Sequence, residues 1–136
     1  RAASTLTGMK RAVALLAIAL VLVQGAVAAP AKDGDDDVRV TGKCTGGVRS
    51  SMRVRTRDEG IEVRFEVERG RVGTWSVTLV HERRVAWRGK YRIRRAGGSF
   101  EIRRTVADLP GADSFTARAL GPRGITCRAD ATLAGS

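Results

Sequence analysis

The stretch Ile61-Glu62-Val63-Arg64-Phe65-Glu66-Val67-Glu68 alternates apolar and charged residues without interruption. A period of two puts Ile61, Val63, Phe65 and Val67 on one face and Glu62, Arg64, Glu66 and Glu68 on the other. One dry face and one wet face mark a strand in an antiparallel sheet packed on one side. Upstream, Val48 to Arg57 sets Val48, Met52 and Val54 against Arg49, Arg53, Arg55 and Arg57, and Asp58-Glu59-Gly60 supplies a turn. A hairpin is expected, with arginine meeting glutamate across its wet face at about 0.2–1 kcal/mol per pair.

The same reading extends outward. Val38 to Cys44 reads as one strand with Val38, Val40 and Cys44 inward, ending in the turn Thr45-Gly46-Gly47. Beyond a turn bounded by Gly70 and Gly73, Trp75, Val77 and Leu79 face inward and Thr74, Ser76 and Thr78 outward. His81 to Arg84 leads into a strand with Val85, Trp87, Tyr91 and Ile93 inward and Arg88, Lys90, Arg92 and Arg94 outward. Gly97-Gly98 turns into a strand with Phe100, Ile102 and Val106 inward, where the parity of Arg104 predicts a bulge or an early exit. After the corner Leu109 to Asp113, Phe115, Ala117 and Ala119 mark the next strand. Gly121 to Gly124 turns into the last, with Ile125, Cys127, Ala129, Ala131 and Leu133 inward. Seven or eight short strands with turns roughly every 8–12 residues predict an all-β antiparallel sandwich over residues 38–134. All six aromatic residues (Phe65, Trp75, Trp87, Tyr91, Phe100 and Phe115) have inward parity and read as core before binding platform.

The 136 residues leave room for one such domain. Ahead of it, Met9-Lys10-Arg11, the apolar run Ala12 to Val23 and Ala26-Val27-Ala28 have the order of a secretory signal peptide, cut after Ala28. An uncleaved anchor is the alternative, although the run is short for a membrane span. Residues 1–28 are therefore read as leader, with the natural start at Met9, and residues 29–37 as an acidic linker. The aspartates at 33 and 35–37 surround Gly34 but lack the ligand spacing and distal glutamate of a calcium loop. The two cysteines, Cys44 and Cys127, allow one disulfide, which an exported protein would form; two free buried thiols are the alternative.

The chain has a net charge of +11, and only four of its 25 basic residues are lysine. Such charge suits anionic wall polymer, nucleic acid or lipid head groups, but arginine, alanine, glycine and valine together are also what a GC-rich genome writes. The densest part, Arg83 to Arg104, holds nine basic residues and one acid, Glu101. Read as a hairpin, it would pair Arg94 with Ser99, Arg92 with Glu101 and Lys90 with Arg103. A cationic face of Arg88, Lys90, Arg92, Arg94 and Arg103 is then the candidate anion-binding site, and the competing reading is a solvated face shaped by codon usage.

Beyond these periodicities, Gly60 to Val67, Trp75-Ser76-Val77-Thr78-Leu79, Gly98 to Arg104, Asp113 to Ala119 and the placement of Cys44 and Cys127 resemble a group of short exported actinobacterial proteins of immunoglobulin-like type. The resemblance implies an immunoglobulin-like sandwich and brings no catalytic or binding residue with it. Asp113-Ser114-Phe115 is similar to the corner before strand F of such domains, with Phe115 in place of the tyrosine whose hydroxyl would bond back to the chain.

Catalytic chemistry is sparse. His81, the one histidine, lies at a strand end beside Glu82 and reads as a surface residue rather than a base oriented by a carboxylate. One histidine and two paired cysteines fall short of a Cys/His zinc set. No P-loop or dinucleotide fingerprint is present, so no cofactor is implied. The expectation is a non-enzymatic exported binding or structural module. Its partner is left open between a protein and a cell-envelope polymer, the alternative being a binder of anionic polymers (wall polymer, nucleic acid or anionic lipid), and nothing after the leader would span a membrane.

Overall fold

The computed structural model describes residues 37–135. The leader, and the linker before Asp37, lie outside the described residues. Nine strands form: β1 (Asp37–Thr41), β2 (Lys43–Cys44), β3 (Arg49–Arg57), β4 (Gly60–Gly70), β5 (Gly73–His81), β6 (Arg84–Ile93), β7 (Gly98–Val106), β8 (Asp113–Leu120) and β9 (Thr126–Leu133). They make two antiparallel sheets, β1-β3-β4-β7 and β2-β9-β8-β5-β6. This is the expected antiparallel β-sandwich. The trio β9-β8-β5 has the order of immunoglobulin strands G, F and C, whereas β4, joined to β3 by a hairpin, stands where that pattern has strand E. Among the described residues, no helix is long and apolar enough to cross a membrane.

The alternation at residues 61–68 appears as drawn. Ile61, Val63, Phe65 and Val67 are fully buried and pack with Met52, Val54, Trp75, Leu79, Ile102 and Phe115. Their charged neighbours lie on the outer face, where Arg49 faces Glu68 and Arg55 faces Glu62 across the β3–β4 hairpin. Trp87, Tyr91 and Phe100 are only partly buried, because they fill the open seam between edge strands β6 and β7. Tyr91 and Phe100 stack there at 5.0 Å.

Three local expectations change. The first predicted strand divides at Gly42, with β1 in one sheet and β2 in the other, which is why there are nine strands. A side chain at 42 would collide with Ser50 Oγ and come within 2.8 Å of the Arg128 carbonyl, so only glycine lets the chain cross there. Arg104 causes neither a bulge nor an exit: from Phe100 to Val106 β7 stays in register opposite β4, and the one register shift lies at the other end, between Val67 and Gly70. Because β7 is an edge strand, the Arg104 guanidinium reaches the seam and covers the Trp87 ring at 4.4 Å. Finally, β6 and β7 are not a hairpin. After Ile93 the chain crosses between sheets, and β7 pairs with β4. Beside β6, Arg103 would have met Lys90. Beside β4, its guanidinium lies 3.7 Å from Glu101, which also reaches Arg64 at 3.5 Å.

The outer face of the four-stranded sheet carries Asp37, Glu62, Glu66, Glu68 and Glu101 among its arginines. Arg53 holds Asp37 through both carboxylate oxygens, and that hydrogen bond lowers the Asp37 pKa. Burial pushes Glu62 upward, but the hydrogen bond from Arg55 and the charges of Arg55, Arg57 and Arg103 outweigh it and leave its pKa below the ordinary value. Carboxylates depressed in the folded state stabilise it above their unfolded pKa, and the contribution disappears as pH falls through the folded value. The melting temperature is therefore expected to decline below about pH 4.5, the ordinary value for a glutamate. A thermal-denaturation series from pH 7 to 2.5 checks this, and Asp37→Asn with Glu62→Gln should flatten the acid limb.

Candidate functional site

The cationic face lies on the five-stranded sheet, with a different membership from the one expected. Arg88, Lys90 and Arg92 do project outward from β6, opposite Thr78, Ser76 and Thr74 of β5. No acid stands across from them. Arg94 lies beyond the end of β6 in the corner between sheets. Arg103 belongs to the other sheet, opposite Arg64, so the sandwich separates it from the β6 cations. It leaves the set.

Residues from distant parts of the chain take its place. Arg88 faces Thr78, Thr78 faces Arg118, Arg118 faces Arg128 and Arg128 faces Lys43. This single row crosses all five strands, with neighbouring strands about 4.8 Å apart. The next row runs Lys90, Ser76, Leu120 and Thr126. Strand parity decides this arrangement: Ala117, Ala119, Cys127 and Ala129 are buried, so Arg118 and Arg128 must face solvent.

Asp130 is the one outward-facing carboxylate on the strands of this sheet. Arg128 grips it at 2.8 and 3.0 Å and Thr116 donates to it at 2.6 Å. The Arg128 bond, then the Thr116 bond, holds the Asp130 pKa down. No ion pair joins Lys43, Arg88, Lys90, Arg92 or Arg118 to a carboxylate among the described residues. A shallow depression of ≈ 490 Å³ lies among Ser76, Thr78, Arg118, Leu120, Thr126 and Arg128. Its exposed lining is mostly apolar, with Leu120 half-exposed, while Ser76, Thr78 and Thr126 bring hydroxyls and Arg118 and Arg128 guanidinium forks to it. That combination can hold phosphate or carboxylate groups through charge-assisted, bidentate bonds.

The cysteines are paired, Cys44 with Cys127. They are direct cross-strand neighbours in β2 and β9, so the bridge lies within the five-stranded sheet, and it anchors the strand that carries Lys43. His81 is buried rather than at the surface, with Nε2 2.6 Å from Asp113 Oδ1. Sequence reading missed Lys43, Arg118 and Arg128 because each is an isolated cation in its own strand. Their outward parity was the available signal. No protein-family model and no curated protein matches the chain.

Proposed function

We propose that the protein is an exported, non-enzymatic β-sandwich module that binds extended anionic polymers with the outer face of its five-stranded sheet. The row Arg88–Thr78–Arg118–Arg128–Lys43 carries this reading, because its cations far outnumber the one carboxylate beside them. The opposite sheet makes the contrast: its arginines are answered by Asp37, Glu62 and Glu101. Codon usage would load both faces alike and does not account for the difference. The leader pattern and the disulfide support export to an oxidising compartment, where wall polymers and other polyphosphates or polyuronates are met. That agrees with the resemblance to short exported actinobacterial proteins.

Binding to polyphosphate or heparin should weaken steeply as salt rises. The triple variant Arg88→Gln, Arg118→Gln, Arg128→Gln should reduce the slope of log K against log[salt] by about 2 and cost about 100-fold in affinity near 0.1 M salt. The control Arg49→Gln, Arg57→Gln, Arg103→Gln removes the same charge from exposed sites on the other sheet and should change affinity far less. Equal losses in the two triples would overturn the assignment to this face. Tight binding that ignores salt would point to a shape-specific protein partner instead.

A further inference from the structure

At the end of the sandwich where β5 turns into β6, three ligand-type side chains converge from separate parts of the chain. We propose that His81, Glu82 and Asp113 form a binding site for a divalent transition-metal ion of the zinc type, with water or a small anion completing its coordination.

The register brings them together. His81 closes β5 and pairs with Phe115 of β8, and Glu82 N donates to the Ser114 carbonyl at 3.1 Å. Asp113, the first residue of β8, thereby arrives beside His81, and one donor atom from each of the three residues lies within 4.8 Å of the others. On a four-coordinate zinc ion, ligands about 2.0–2.2 Å from the metal stand roughly 3.4 Å apart. His81 Nε2 and Asp113 Oδ1, now at 2.6 Å, need to part by less than an ångström. The ion takes the place of the hydrogen between them, and the neutral imidazole carries its proton on Nδ1 instead.

Each ligand is already held. The His81 ring stacks on Phe115 with centroids 4.6 Å apart and planes 6° from parallel. Glu82 Oε1 accepts from Ser114 N at 2.5 Å and from Ser114 Oγ at 3.1 Å, which fixes this carboxylate and leaves Oε2 for a ligand. The second observation is Asp113 itself. Its side chain is 1% exposed, yet His81 is its one hydrogen-bond partner among the described residues. Only its Oδ1 is held in this way, and Oδ2 is not a fully buried orphan, so the carboxylate stays open to a further ligand. Two carboxylates and a neutral imidazole balance a divalent charge, and a nitrogen ligand with only two acids favours zinc-like ions over calcium or magnesium. Arg83 and Arg84 line the adjoining depression of ≈ 590 Å³ with Leu109 and Pro110. Their charge weakens any cation site, and it places an anion at the open coordination position.

The test is a titration of chelator-treated protein with Co²⁺, followed by competition with Zn²⁺. A 1:1 complex with the intense visible bands of four-coordinate cobalt is expected, displaced by zinc, and zinc should raise the melting temperature. Because His81 is the one histidine of the chain, imidazole ligation can arise nowhere else. Glu82→Gln keeps an oxygen for Ser114 and lies on the surface turn, so it should fold normally and bind at least 10-fold more weakly. His81→Asn, confirmed folded by circular dichroism, should abolish the cobalt bands. Absence of the bands at millimolar Co²⁺, or unchanged affinity in folded Glu82→Gln, would overturn the proposal, as would weak six-coordinate spectra typical of aspartate clusters alone.

Discussion

Replacing Cys44 and Cys127 together by alanine is expected to lower the melting temperature by about 20 °C or more. The bridge closes a sequence separation of 83 residues, and a loop of that length restricts the unfolded chain by about 4.5 kcal/mol in the chain-entropy model. For a domain of this size each kcal/mol moves the midpoint by about 4–8 °C. The native side adds to the loss. Strand β2 is only two residues long, and its hold on β9 beyond the bridge rests on bonds such as Thr45 N to the Thr126 carbonyl at 3.0 Å. Once the bridge is cut, β2 should fray first and take Lys43 away from Arg128. Calorimetry of the oxidised, reduced and double-alanine proteins measures the effect. A shift under 5 °C would mean that the sandwich closes without its staple.

The second large effect is expected at Trp75. Its ring is fully buried in β5, close to Phe100 at 5.9 Å, and its Nε1 donates to the Arg71 carbonyl at 3.0 Å. Gly121 is packed so tightly on it that a methyl there would come within 2.7 Å of the ring. Both sheets converge on this ring, so truncation leaves a cavity that neither can collapse into. Trp75→Ala should cost about 3–5 kcal/mol, a large part of the 5–15 kcal/mol that holds an ordinary domain. Trp75→Phe keeps most of the apolar volume and loses the hydrogen bond, for a cost of about 1–2 kcal/mol. Urea unfolding followed by circular dichroism separates the two, and equal midpoints for the variants would contradict this packing.

Sequence alone determined the faces. Between residues 61 and 68 every apolar residue is buried, and the hairpin from Arg49 to Glu68 sets arginine opposite glutamate at Arg49–Glu68 and Arg55–Glu62, although Arg53 meets Arg64 between them. The reason is local: successive side chains of a strand point to opposite sides, so alternation in sequence becomes alternation in burial. The pairing of Cys44 with Cys127 was legible for a similar reason, since two thiols have one possible bridge. Which sheet a strand joins was decided only by the tertiary structure. A period of two looks the same in either sheet, so Arg95 to Gly98 passed for a hairpin loop when the chain between Ile93 and Gly98 crosses between layers. That crossing sends Arg103 to the face that carries most of the carboxylates. Register between strands far apart in the chain then assembles Lys43, Arg118 and Arg128 beside Arg88, and brings Asp113 to His81 across 32 positions. Partner choice depends on buried contacts and charges summed over a whole strand edge, and no single segment carries that information.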